Sequence, residues 1–173
     1  SFANLRLSYP APSSVEEAEN TIVSSVEIFH VPTRQRKIIF QKNTRIESPN
    51  WHPKDSFLLV NSEGLLYQIP LSAKEGWSSM DIGFLNRCTE HHGFSPDGQQ
   101  LFFSHQDSSS TQIYQLGLKD TLPPKVVIPK SPTFWQGVSP DGTAVLYTAK
   151  RRKRRSFNIY KSAVDTFREA RIT

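Results

Sequence analysis

One cysteine and one methionine among 173 residues, and no long apolar run, remove several classes of protein at the outset. With Cys88 alone there is no internal disulfide framework and no multi-cysteine zinc site, and this leaves cytoplasm and periplasm equally open. Apolar runs such as Phe57 to Val60 are strand-sized, far short of the roughly 18 residues that a membrane helix needs, so no membrane span is expected. Ser1 to Pro10 has neither a charged n-region nor an apolar h-region, so the expectation is that any targeting segment was removed or never existed. The net charge of +5 is concentrated in one block, Lys150, Arg151, Arg152, Lys153, Arg154 and Arg155. Without those six cations the chain would be close to neutral, which argues against a nucleic-acid-binding face spread over the surface.

What is present is repetition. Ser48 to Val60, His91 to Phe103 and Trp135 to Tyr147 share one pattern, and their prolines, Pro53, Pro96 and Pro140, stand 43 and 44 residues apart. A period of roughly 40 to 45 residues fits one four-stranded propeller blade. Within each unit proline fixes the first corner of a turn, aspartate accepts backbone N–H bonds, and glycine takes the left-handed position that returns the chain as a hairpin. Ser95 to Gly98 and Ser139 to Gly142 satisfy this, whereas His52-Pro53-Lys54-Asp55-Ser56 lacks the glycine and is expected to rest on Asp55 in the left-handed region.

After each turn comes an apolar strand and then a strand bearing an aliphatic-aromatic pair: Leu66-Tyr67, Ile113-Tyr114 and Ile159-Tyr160. Ile28-Phe29 holds the same place before the first turn, so Thr21 to Gln41 reads as the two outer strands of an incomplete blade. The outermost strands are expected at Lys37 to Phe40, Val126 to Ile128 and Ala170 to Thr173, with one helical turn over Val15 to Asn20. The expected division is a lead-in over 1–20, a partial blade over 21–45, and blades over 46–87, 88–131 and 132–173. Inner strands should depart from strict alternation, because blades pack face to face and bury both surfaces.

In Phe94-Ser-Pro-Asp-Gly98, Val138-Ser-Pro-Asp-Gly142 and, in part, Trp51-His-Pro-Lys-Asp55, the chain resembles the TolB-like β-propellers, and most closely the small bacterial TolB-related proteins. The resemblance implies an all-β propeller of four-stranded antiparallel blades, with about 3.5 blades present of a ring of about six. An open arc would expose two blade faces, so the chain is expected to be a portion of a longer propeller, with self-association through those faces as the alternative.

The resemblance also implies that ligands or a protein partner sit at the central channel, whose wall is the innermost strand of each blade. The residues expected at the channel mouth are Asn50, Glu90, His91, His92, Trp135 and Gln136, which offer donors, acceptors and an apolar stacking face. The alternative is that they only satisfy hydrogen bonds between blades. Oligogalacturonate lyases are related propellers that hold a divalent metal with channel histidines and a glutamine, which would carry over to His92 and Gln136. His91 and His92 are adjacent on an extended strand and should point to opposite faces, so they should not share a metal.

No catalytic residue and no cofactor is assigned. Gly93-Phe-Ser-Pro-Asp-Gly98 is a turn rather than a nucleophile elbow, Cys88 lacks an orienting group, and Asp97 and Asp141 repeat at equivalent turns. The leading expectation is a non-enzymatic scaffold that binds a protein or small ligand. The alternatives are a metal-dependent polysaccharide lyase-like propeller, the accessory propeller of a hydrolase, and anionic-partner or nucleic-acid binding through the block at 150–155. Of these, nucleic acid has the least support.

Overall fold

The computed structural model describes residues 2–8, 22–72, 76–151 and 156–173. The described residues form fifteen strands and no helix, arranged as four antiparallel sheets in chain order. The first sheet holds β1 (Phe2–Ser8), β2 (Val23–His30) and β3 (Gln35–Lys42). The second holds β4 (Glu47–Trp51), β5 (Phe57–Ser62), β6 (Leu65–Pro70) and β7 (Ser78–Ser79). The third holds β8 (Cys88–Phe94), β9 (Gln100–Gln106), β10 (Thr111–Gly117) and β11 (Lys125–Ile128), and the fourth β12 (Thr133–Val138), β13 (Ala144–Ala149), β14 (Asn158–Ala163) and β15 (Glu169–Arg171). This is an all-β propeller architecture of stacked antiparallel blades, three of them four-stranded. The stretch expected as a lead-in contains a strand, since β1 pairs along its whole length with β2. The helical turn expected at Val15 to Asn20 lies outside the described residues.

The recurring turn is built as its residues dictate. Ser95 Oγ donates to Asp97 Oδ1 at 2.6 Å, Asp97 Oδ1 accepts from Gln99 N at 2.9 Å, and Gly98 closes the turn on the Ser95 carbonyl with a φ of 70°. Ser139, Asp141 and Gly142 repeat this, Gly142 having a φ of 75°. In the first unit Asp55 takes the left-handed place with a φ of 50°. There an imidazole does the work of the serine: His52 Nδ1 accepts from Lys54 N at 3.3 Å and from Ser56 Oγ at 3.1 Å. With that nitrogen accepting, Nε2 carries the proton and donates to Gly98 O at 3.1 Å, so the first turn is tied to the second across the blade boundary.

Apolar packing lies between the sheets. Leu58, Val60 and Ile69 of the second blade pack with Val26 and Ile39 of the first. Leu59 and Leu66 pack with Leu101 and Phe103 of the third, and Phe102 and Ile113 pack with Val145, Tyr147 and Tyr160 of the fourth. Consecutive residues Leu58, Leu59 and Val60 are all fully buried because each face of the sheet meets a neighbour. Each such side chain contributes roughly 1.5 to 3 kcal/mol by leaving water.

Candidate functional site

The innermost strands β4, β8 and β12 line the axis side of the arc, and each breaks its register. β4 bulges between Glu47 and Asn50, with Ser48 at a φ of 52°, β8 between Cys88 and His92, and β12 between Trp135 and Gly137. A bulge leaves residues out of the ladder and re-aims their side chains. The residues expected at the channel mouth therefore lie within these strands, and the bulges sort them into two groups.

Asn50, His92 and Trp135 face the seams between blades. Asn50 Nδ2 stands 3.4 Å from His92 Nδ1, and the Trp135 indole fills the space where a side chain on Gly93 would begin. His92 is 1% exposed, and burial, with a smaller contribution from nearby His91, pushes its pKa down to about 3. It is neutral at physiological pH. All three thus take part in contacts between neighbouring blades.

Glu90 and His91 are carried outward by the β8 bulge. The Thr89 hydroxyl takes the His91 backbone N–H at 3.3 Å, and His91 Nδ1 lies 3.5 Å from Glu90 Oε1. The imidazole rests 5.1 Å from the Phe134 ring, which meets Phe157 edge-on at 5.9 Å. The Glu90 side chain is 56% exposed and Phe157 53%. Carboxylate, imidazole and two aromatic faces thus share one exposed patch at the end of the arc remote from the Ser-Pro-Asp-Gly turns. Phe157 was not legible as part of it, because it stands 23 residues from Phe134 and only the fold brings the two rings together.

Gln136 sits on the β12 bulge, exposed, with Nε2 3.5 Å from Thr148 Oγ1. His92 turns to Asn50 and Gln136 to Thr148, so the two weak metal candidates are not brought together. Among the described residues no group of three His, Cys, Asp or Glu side chains is placed to hold a metal. Burial pushes the Cys88 thiol up to about 12, which keeps it protonated at neutral pH and rules against a thiolate role.

The basic block divides as well. Arg151 turns inward: its Nε lies 3.1 Å from both Glu169 carboxylate oxygens, its Nη1 donates to Pro132 O at 3.2 Å, and its guanidinium lies over the Tyr160 ring. Tyr147 adds its hydroxyl to Glu169 at 2.8 Å. Arg151 is therefore a structural ion-pair partner, not one of a free row of six. Lys150 is exposed, and Arg152, Lys153, Arg154 and Arg155 lie outside the described residues.

Away from the axis, a groove of about 400 Å³ runs between the outer parts of the second and third blades, lined by Met80, Gly83, Leu118 and Leu122 among others.

No family model matches the chain. An uncharacterised protein of Agrobacterium fabrum is 36% identical over 151 residues, which covers 87% of this chain and 50% of that protein. Among solved structures, a protein of Agrobacterium tumefaciens provisionally assigned as TolB is 35% identical and superposes with a TM-score of 0.80 over 86% of this chain and 53% of the other. An oligogalacturonate lyase in complex with manganese shares the fold, with a TM-score of 0.69 at 15% identity over 88% of this chain and 43% of that one. The chain spans about half the length of the relatives it matches.

Proposed function

We propose that this chain, a TolB-like propeller arc, serves as a non-enzymatic scaffold that binds a protein or small ligand at the channel end through Glu90, His91, Phe134 and Phe157. The observation that supports this most is the exposed cluster itself. A carboxylate beside an imidazole accepts and donates hydrogen bonds, and the two aromatic rings offer a stacking face, the mixture expected of a recognition surface. Gln136 stands exposed on the adjoining strand and adds an amide. Asn50, His92 and Trp135 hold this surface in register without touching the ligand.

Titration of the isotope-labelled chain with trigalacturonate, and separately with an acidic peptide containing tryptophan, tests the reading by NMR. Shifts confined to Thr89 to His91, Phe134 and Phe157, and lost in His91→Ala and Phe134→Ala, are the expected result. Shifts centred on the groove at Leu118 and Leu122, or none with either probe, would overturn it. The lyase-like alternative is tested in the same tube: manganese should neither broaden His92 resonances nor produce an unsaturated uronate from trigalacturonate.

A second reading has one observation in its favour. Lys150, which is exposed, and Phe157, which meets Phe134, stand on either side of the basic segment in the sequence. An acidic partner would engage both, and its affinity would fall steeply with salt. Equal affinity at low and high ionic strength would remove this reading and leave the first intact.

A further inference from the structure

The groove between the outer parts of the second and third blades has a preformed apolar floor. Ile82 and Leu116, 3% and 8% exposed, pack with Leu66 and Leu101 in the core of this seam, and Met80 and Leu118 lie half-buried against the same cluster. Backbone bonds and ring constraints fix the walls. Leu118 N donates to Gln99 O at 2.9 Å, Asp120 N donates to Gly117 O at 3.2 Å, Gly83 turns with a φ of 66°, and Pro123 and Pro124 stiffen the chain that returns to β11. A groove held in this way loses little freedom when it is filled.

Two carboxylates line this groove, one from each blade. Asp81 Oδ1 accepts from Gly83 N at 3.1 Å, and the Asp120 carboxylate lies over Gly117, where even a methyl group would overlap it. Among the described residues neither carboxylate has a cation within 4 Å, and no lysine, arginine or histidine lines the groove, although the chain carries a net charge of +5. The apolar surface continues past the cavity. Leu122 on the lining is 71% exposed, and Phe84, the neighbour of Gly83, is 95% exposed. Isolated apolar side chains on a surface need no explanation, but these adjoin a cavity that also holds two acids.

We propose that this groove docks a protein partner through a short extended segment that carries an aliphatic side chain between two basic ones. The aliphatic side chain enters between Met80, Leu118 and Leu122, and lysine or arginine on either side meets Asp81 and Asp120. Charge selects this occupant. An acidic segment would bring like charge to both carboxylates, and a purely apolar one would strip water from them without supplying a partner. One acid from each blade calls for two cations joined by an apolar body, which a peptide supplies when alternate residues of an extended chain share a face. The groove lies at the outer strands, away from Glu90 and His91 on the innermost strand β8, and the proposal does not depend on what that patch binds.

Titration of the isotope-labelled chain with an end-capped Lys-Ser-Leu-Ser-Lys peptide at low salt, followed by NMR, tests this. The expected shifts fall on Met80 to Gly83 and Leu116 to Leu122. The double variant Asp81→Asn with Asp120→Asn should bind about fivefold more weakly, the worth of two exposed ion pairs, and Leu122→Ser should bind more weakly as well. All three positions are exposed, so an unchanged melting curve verifies folding. No shift up to about 1 mM peptide, the weak end of measurable affinity, would overturn the proposal, as would equal binding of Glu-Ser-Leu-Ser-Glu. Shifts centred on His91 and Phe134 would overturn it by assigning the peptide to the channel end. Cadaverine binding as tightly as the peptide would overturn it in favour of a small dication, and groove shifts that follow chain concentration alone would do so in favour of a second copy. None of these results bears on the anionic probes that test the channel-end reading.

Discussion

Asn50 Nδ2 and His92 Nδ1 stand 3.4 Å apart across the seam between the second and third blades, with the histidine 1% exposed and its pKa pushed down to about 3. The contact makes acid sensitivity a property of the seam. His92 is neutral in the fold and titrates near 6.5 once unfolded, so below 6.5 the unfolded chain binds the extra proton. Its contribution is intact above pH 6.5 and is lost as pH falls towards 3. The expected slope is about 1.4 kcal/mol per pH unit inside that window. Urea unfolding of wild type and His92→Asn between these limits checks it: the variant should be flatter, and parallel curves would refute the assignment.

The Trp135 indole lies where a Gly93 side chain would begin, so even a methyl group there must displace the ring. Gly93→Ala is expected to destabilise the fold by about 1 to 3 kcal/mol through overpacking. Trp135→Ala opens a void on the same seam and should cost roughly 3 kcal/mol. Because both changes remove one contact, the double variant should cost less than the two together. Additive losses in denaturant unfolding would mean that the residues act independently.

The blades were legible because their signals are local. Ser-Pro-Asp-Gly at constant spacing specifies a turn from adjacent residues alone, and Ser95 to Gly98 forms it as expected. The patch at Glu90 and His91 was legible only in part, because it depends on bulges. Extended-strand alternation separates His91 from His92, which the structure shows, but it does not reveal that β8 gains residues between Cys88 and His92 and pushes Glu90 outward. Arg151 reads as one cation of a run, and only folding brings Glu169, eighteen residues on, against it. Nothing local marks Phe157 as the neighbour of Phe134.

Asp55 holds the left-handed place that Gly98 and Gly142 hold in the later turns, with a φ of 50° against 70° and 75°. An L residue there carries a steric penalty that glycine lacks. Asp55 N still donates to His52 O at 2.8 Å, a bond that glycine keeps. Asp55→Gly is therefore expected to stabilise the fold by about 0.5 to 1 kcal/mol, a few degrees in melting temperature. A lower melting temperature would show that the aspartate side chain matters more than its backbone.

Glu169 gathers Arg151, the Tyr147 hydroxyl and, at 3.5 Å, the Lys130 ammonium, and it does so with its side chain 13% exposed. The Arg151 hydrogen bonds are the largest influence that holds its pKa low, at about 2 against an ordinary 4.5. For a carboxylate lowered in the fold, the contribution is complete above 4.5 and is lost as pH falls through about 2. Glu169→Gln keeps the shape but not the charge, and should cost about 2 kcal/mol at neutral pH, since it leaves Arg151 half-buried with a neutral partner. The gap between wild type and variant should close as pH falls from 4.5 towards 2. This window begins lower than that of His92, so the two effects overlap only between about 3 and 4.5: above 4.5 His92→Asn alone flattens the acid profile, and below about 3 Glu169→Gln alone does. If Glu169→Gln changed the slope above pH 4.5, or His92→Asn left it unchanged between 4.5 and 6.5, the corresponding assignment would have to be abandoned.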